Sequence, residues 1–191
     1  LAEHSGLIVP IGHWVMEAAC AQLVRWAGDP VAMRWTLSVN VSARQFNEAR
    51  CVERILEVLA RTGANPRRLC LELTETVLLG SIDSQFLEKM QMLRSHGVQL
   101  ALDDFGTGYS SLSYLKQLPL TRVKIDQSFV RTVLDNPKDQ GVTTAILMLA
   151  STLGLDVVAE GVETPEQFAY LCSAGCASFQ GYLFGRPAPV D

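Results

Sequence analysis

The stretch Leu100-Ala101-Leu102-Asp103-Asp104-Phe105-Gly106-Thr107-Gly108 ends an apolar run in two adjacent aspartates and follows them with two closely spaced glycines. Like charges a few ångströms apart each resist ionisation, so such a pair calls for positive charge beside it. A divalent cation with oxygen ligands answers that need, and the glycines let the following backbone approach it or fold over it. The same residues also suit a solvated Asp-Asp turn that caps the next helix through Ser110 or Ser111. Elsewhere Asn40, Glu72 and Glu160 each close an apolar run, Lys124 and Asp126 close another, and Gln180 closes the last.

Collected on one rim, Asn40, Glu72, Asp103, Asp104 and Glu160 offer four carboxylates and one amide oxygen. Hard oxygen ligands without histidine or thiolate point to Mg²⁺ or Mn²⁺ rather than zinc. One magnesium keeps several waters and takes few carboxylates from protein, so this many acids suggests two ions. Two cations about 4 Å apart are the standard arrangement for in-line cleavage of a phosphodiester. Lys124 is the cation among these acids. It reads either as an electrostatic staple to Asp126 or Asp103, or as the group that orients or deprotonates an attacking water. Glu75 and Glu163, each three residues after a candidate ligand, are surface charges or anchors that hold the ligands from behind. Gly106-Thr107-Gly108 lacks the spacing of either nucleotide-binding glycine motif.

The elements that must position these groups follow from periodicity. Apolar residues at helical spacing, closed by Gly or Pro, predict helices over 10–26, 48–61, 83–96, 112–118, 137–153 and 164–174. Between them, alternating or continuous apolar runs predict strands over 35–41, 69–73, 98–103, 121–126, 155–159 and 177–180. Strands alternating with helices are the signature of parallel βαβ units. Side chains alternate faces along a strand, so the bulky aliphatics point one way and the terminal polar group the other. Polar groups at the carboxyl ends of successive strands are the mark of a TIM-like β/α barrel, whereas an open sheet gathers them at one switch point. Six strands do not close an eight-stranded barrel, so two are expected to be missing.

The composition, 48% hydrophobic and 19% charged over 191 residues, suits one soluble α/β domain with a substantial core. A net charge of −4 supplies no basic surface for duplex DNA, and no apolar run reaches the roughly 18 residues of a membrane helix. The five cysteines are scattered and complete no zinc site, which predicts buried reduced thiols and a cytoplasmic setting. The chain opens on Leu1 with the tail of a helix already under way, so it is expected to be a piece of something longer.

Asn40-Val41-Ser42, Glu72-Leu73-Thr74-Glu75, Asp103-Asp104-Phe105-Gly106-Thr107-Gly108-Tyr109-Ser110-Ser111, Lys124-Ile125-Asp126, Glu160-Gly161-Val162-Glu163 and Gln180-Gly181-Tyr182 stand in one order and spacing. From Leu1 to Pro187 this resembles the EAL-domain family, bacterial phosphodiesterases that linearise cyclic di-GMP to pGpG. The resemblance implies an EAL-type β/α barrel with an atypical antiparallel first strand and two Mg²⁺ or Mn²⁺ ions. Asn40, Glu72, Asp103, Asp104 and Glu160 resemble the family's metal ligands, and Lys124 resembles the residue that activates water. Asp126, Glu163 and Gln180 resemble substrate-side positions, and Glu75 resembles the anchor of the loop after Asp104, a loop tied in the family to metal binding and homodimerisation. The naming Glu-Ala-Leu motif, with its metal-binding glutamate and a nearby phosphate-binding arginine, belongs upstream of Leu1. It is expected in the parent protein, along with a fused sensory or GGDEF domain and possible membrane anchoring, and the chain alone is expected to turn over poorly. Two other readings stand beside this one: a catalytically inactive EAL-type cyclic di-GMP receptor or scaffold, and a metal-dependent barrel lyase using Lys124 as a base on a carboxylate substrate.

Overall fold

The computed structural model describes residues 2–75, 77, 83–108 and 115–189. Ser110, Ser111 and the opening of the helix predicted over 112–118 lie outside the described residues. The chain divides into two compact units, Leu1–Ala101 with Ser111–Leu120, and Leu102–Ser110 with Thr121–Asp191.

The first unit holds helices α1 (Ala2–Ser5), α2 (Ile8–Trp26), α3 (Ala43–Asn47), α4 (Cys51–Thr62) and α5 (Ser84–Ser95). Its strands are β1 (Leu37–Asn40), β2 (Leu69–Thr74) and the opening of β3 (Gln99–Phe105). Periodicity alone does not disclose α3. It forms because Ser42, extended at its N-cap, accepts a hydrogen bond from the Gln45 amide at 3.1 Å. The helix predicted over 48–61 correspondingly begins at Cys51 and ends on Gly63, whose φ of 74° gives the left-handed turn that releases a helix. β1 and β2 pair in parallel from Leu37 opposite Leu69 to Asn40 opposite Glu72. Leu69, Cys70, Leu71 and Leu73 are fully buried, as expected of a parallel strand covered on both faces. The helices bury Met16, Cys20, Phe46, Ile55, Met90 and Leu93, and a Met, Phe, Ile or Leu side chain is worth about 1.5–3 kcal/mol when fully buried. Phe46 and Phe86 meet with ring centroids 4.9 Å apart.

The second unit completes β3 and adds β4 (Arg122–Ile125), α6 (Gln127–Thr132), α7 (Pro137–Leu153), β5 (Asp156–Ala159), α8 (Pro165–Ser173) and β6 (Ser178–Phe179). β4 and β5 run parallel with Lys124 opposite Val158, and β5 and β6 run parallel with Ala159 opposite Phe179. The strand predicted over 121–126 is shorter because Asp126 leaves it to cap α6, accepting from the Ser128 amide at 2.9 Å. α7 opens with Asn136 and Pro137 and ends at Gly154, and α8 opens with a capping box of Thr164 and Gln167.

Hydrogen-bonded neighbours follow the chain, β1-β2-β3-β4-β5-β6. A doubly wound sheet reverses its order partway, so the sequential order is that of a TIM-like β/α barrel, here with six strands among the described residues. All five cysteines are free, four of them buried. No helix among the described residues is long and apolar enough to cross a membrane.

Candidate active site

Strand alternation would send Asp103 and Asp104 to opposite faces of β3. The backbone prevents this. Asp104 has φ of 54°, the left-handed region that costs most residues energy and that aspartate tolerates better than most. The turn is held by the Asp104 carbonyl, which accepts from Thr107 Oγ1 at 2.8 Å. At Gly106 (φ 100°) a Cβ would fall 2.9 Å from the Phe129 ring. As a result one carboxylate oxygen from each of Asp103, Asp104 and Glu160 lies within 4.8 Å of the others.

Lys124 reaches the same point from β4. It is 4% exposed, and its Nζ lies 2.9 Å from Asp103 Oδ1 and 2.6 Å from Glu160 Oε1. Glu160 follows β5 directly, its amide donating to the Ile125 carbonyl at 3.1 Å, so β4 and β5 together fix the pair. Of the two staple partners expected for Lys124, Asp103 lies at ion-pair distance. The Asp126 carboxylate accepts from the Ser128 amide, which opens α6, and from the Ser128 hydroxyl. Asp104 is held above the usual carboxylate range, first by burial, then by the charges of Asp103 and Asp126 and a hydrogen bond to Asp126, with Lys124 opposing. Three acids against one ammonium leave negative charge in excess. Oxygens on opposite sides of one magnesium lie about 4 Å apart, close to the span found here, so the donor set fits a divalent cation.

In the first unit, Asn40 is exposed at the carboxyl end of β1 and stands in register with Glu72, which is 5% exposed on β2. Glu75 is 2% exposed, which removes the surface-charge reading for it. Of the loop after Asp104 that it was expected to anchor, residues 109–114 lie outside the described residues. Glu163 is exposed, as one of its two readings required.

Glu160, Glu163 and Gln180 share a cavity of about 230 Å³ in the second unit with Gln127, Gly181 and Tyr182. Its wall is stitched by backbone: the Gln180 amide donates to Ala159 at 2.9 Å, Val162 to Gln180 at 3.1 Å and Leu183 to Val162 at 3.0 Å. Two glycines make this possible. A Cβ on Gly161 would lie 2.6 Å from the Gln127 Cβ, and one on Gly181 would lie 2.2 Å from the Val162 carbonyl oxygen. Gln127 and Tyr182 are the wall residues that sequence reasoning missed. Their signal was adjacency, one following Asp126 and the other closing the Gln180-Gly181-Tyr182 motif. The Arg186 guanidinium stands 4.9 Å over the Tyr182 ring.

Residues 1–187 match the family described as EAL domain. Over 191 residues the chain is 44% identical to the bifunctional diguanylate cyclase/cyclic di-GMP phosphodiesterase MucR of Pseudomonas aeruginosa, covering all of this chain and 28% of that protein. The solved structure of the PaMucR phosphodiesterase in complex with c-di-GMP matches with a TM-score of 0.94 at 44% identity, covering 98% of this chain and 75% of that one. A manganese and cyclic di-GMP complex of BlrP1 from Klebsiella pneumoniae matches with a TM-score of 0.78 at 32% identity, over 92% of this chain and 45% of that one. The chain spans about a quarter of the length of the curated relatives it matches. On its motifs, its strand order and these matches, the chain belongs to the EAL-domain family.

Proposed function

We propose that this chain is the greater part of a phosphodiesterase domain that hydrolyses cyclic di-GMP to linear pGpG with Mg²⁺ or Mn²⁺. The observation that carries the reading is the buried Lys124 ammonium between Asp103 and Glu160, inside a group of acids that exceeds it in charge. MucR is named a cyclic di-GMP phosphodiesterase, and BlrP1 was solved with manganese and cyclic di-GMP; both support it.

Asn40, Glu72, Asp103, Asp104 and Glu160 would hold two divalent cations. Such ions supply charge neutralisation at the phosphate and a more acidic water. The rest falls to the chain's own groups. Lys124, fixed by two carboxylates, orients the attacking water toward phosphorus. Glu160 keeps Lys124 in place while serving as a ligand. Asp126, Glu163 and Gln180 face the dinucleotide, and Glu163 and Gln180 meet it from the wall of the second unit's cavity. Glu75 anchors the loop after Asp104, and the domain pairs with a second copy of itself. The free thiols suit a reducing, cytoplasmic setting, and relatives about four times as long suit fusion to sensory or GGDEF domains.

The test is release of pGpG from cyclic di-GMP with Mg²⁺ or Mn²⁺, measured on this chain and on a version extended upstream by about two strands. Product from the extended version supports the reading, whereas binding without cleavage identifies a receptor. In the extended version Lys124→Ala is expected to lower kcat by about 10² or more while cyclic di-GMP binding stays measurable. Full turnover by that variant would remove Lys124 from the mechanism.

A further inference from the structure

The first unit holds a cavity of about 240 Å³ bounded by α2, α3 and α4, at residues outside the acid cluster. Its wall combines apolar Met16, Ile55 and Val58 with polar His13, Gln45 and Arg54. Gln45 is 3% exposed, and its amide lies flat on α2, where a Cβ at Gly12 would fall 2.1 Å from Oε1. The Gln45 backbone donates to Ser42, but among the described residues no hydrogen bond reaches its side-chain amide. The amide borders the cavity, which is where a partner could reach it.

Arg54 supplies the charge. Its Nη1 lies 3.1 Å from His13 Nε2, and a guanidinium only donates, so Nε2 accepts from it. The two carboxylates at the cavity are engaged elsewhere, Glu17 by Arg61 at 2.7 Å and Glu57 by Arg50 at 3.0 Å. Among the described residues no carboxylate pairs with Arg54. One guanidinium that no carboxylate pairs with, one amide open to the cavity and an apolar wall therefore border a single space, among the described residues. Few polar groups set in an apolar lining is the usual composition of a small-ligand site.

We propose that this cavity binds a small organic anion, its carboxylate accepting from Arg54 and the Gln45 amide and its hydrocarbon body resting on Met16, Ile55 and Val58. The space equals that of about eight waters, enough for a ligand of benzoate size and too little for a dinucleotide.

The test is titration of the whole chain with sodium benzoate, using inorganic phosphate as the anion without an apolar body, followed by the NMR signals of arginine Nε–H and glutamine NH₂ groups. Benzoate is expected to shift the Arg54 and Gln45 signals to saturation, and phosphate to bind about tenfold or more weakly. Arg54→Gln, at a half-buried side chain, is expected to weaken benzoate by about 10–100-fold, the size of a charged hydrogen bond. Arg25→Gln, exposed on α2, is expected to leave it unchanged. Shifts that grow linearly without saturating, saturation that survives Arg54→Gln, or phosphate binding as tightly as benzoate would each overturn the proposal. Should Arg54→Gln fail to fold, the comparison of benzoate with phosphate on the unsubstituted chain still decides.

Discussion

Lys124 is 4% exposed, and the carboxylates of Asp103 and Glu160 lie 2.9 and 2.6 Å from its ammonium. An unpaired buried charge is strongly destabilising, whereas a paired one roughly breaks even. The opposite problem belongs to Asp104, whose acid is pushed upward by burial and by Asp103 and Asp126. Cation binding would relieve this excess of acids. Asp103→Asn removes one charge from the ligand group and one of the two carboxylates of Lys124. Isothermal titration of this variant should show Mn²⁺ binding weakened on the order of tenfold or more, as losses around metal sites usually do. Unchanged affinity would exclude Asp103 from the ligands. The acids and the lysine were visible in the sequence as residue types. The turn of Asp104 was not, because alternation predicts the opposite face and the left-handed backbone that reverses it is no property of residue type.

At the scale of elements, the loop after β5 and the segment after β6 are locked together through Val162, Gln180 and Leu183. Gly181 is the joint, because a Cβ there meets the Val162 backbone, which cannot rotate away as a side chain could. Gly181→Ala should therefore lower stability by about 1–3 kcal/mol in urea unfolding, the usual range for overpacking. It should also weaken cyclic di-GMP binding, since Gln180 moves with it. α7 offers a change of opposite sign. Thr143 is fully buried, and among the described residues its hydroxyl has no hydrogen-bond partner. Thr143→Val should raise stability by about 1 kcal/mol by removing an unsatisfied group at nearly constant shape. A loss of stability would mean that the hydroxyl finds a partner in solution. Long helices with Pro entries and Gly exits were legible from the sequence because those residues act locally. α3 and α6 escaped because they are about one turn long, too short for a period, and rest on the caps Ser42 and Asp126.

At the scale of the whole chain, acids in excess of one ammonium oppose folding, and binding of a divalent cation should offset this. At a free Mn²⁺ concentration of about 100 times Kd, the linkage gain is about 2.7 kcal/mol, which for a chain of this size means a Tm rise of roughly 5–10 °C. Differential scanning calorimetry with Mn²⁺ against EDTA checks this, and no shift would argue against cation binding by the chain. By itself the sequence determined the alternation of strands and helices, the polar residue at each strand end and the family motifs, because hydrophobic period and turn chemistry act within a few residues. Only the tertiary structure decided that Lys124 meets Asp103 and Glu160 while Asp126 caps a helix, and that Glu75 is buried. The partner of a charged side chain is set by the register of strands distant in sequence, here Lys124 beside Val158 and so beside Glu160, and by the left-handed backbone of Asp104 near the end of β3.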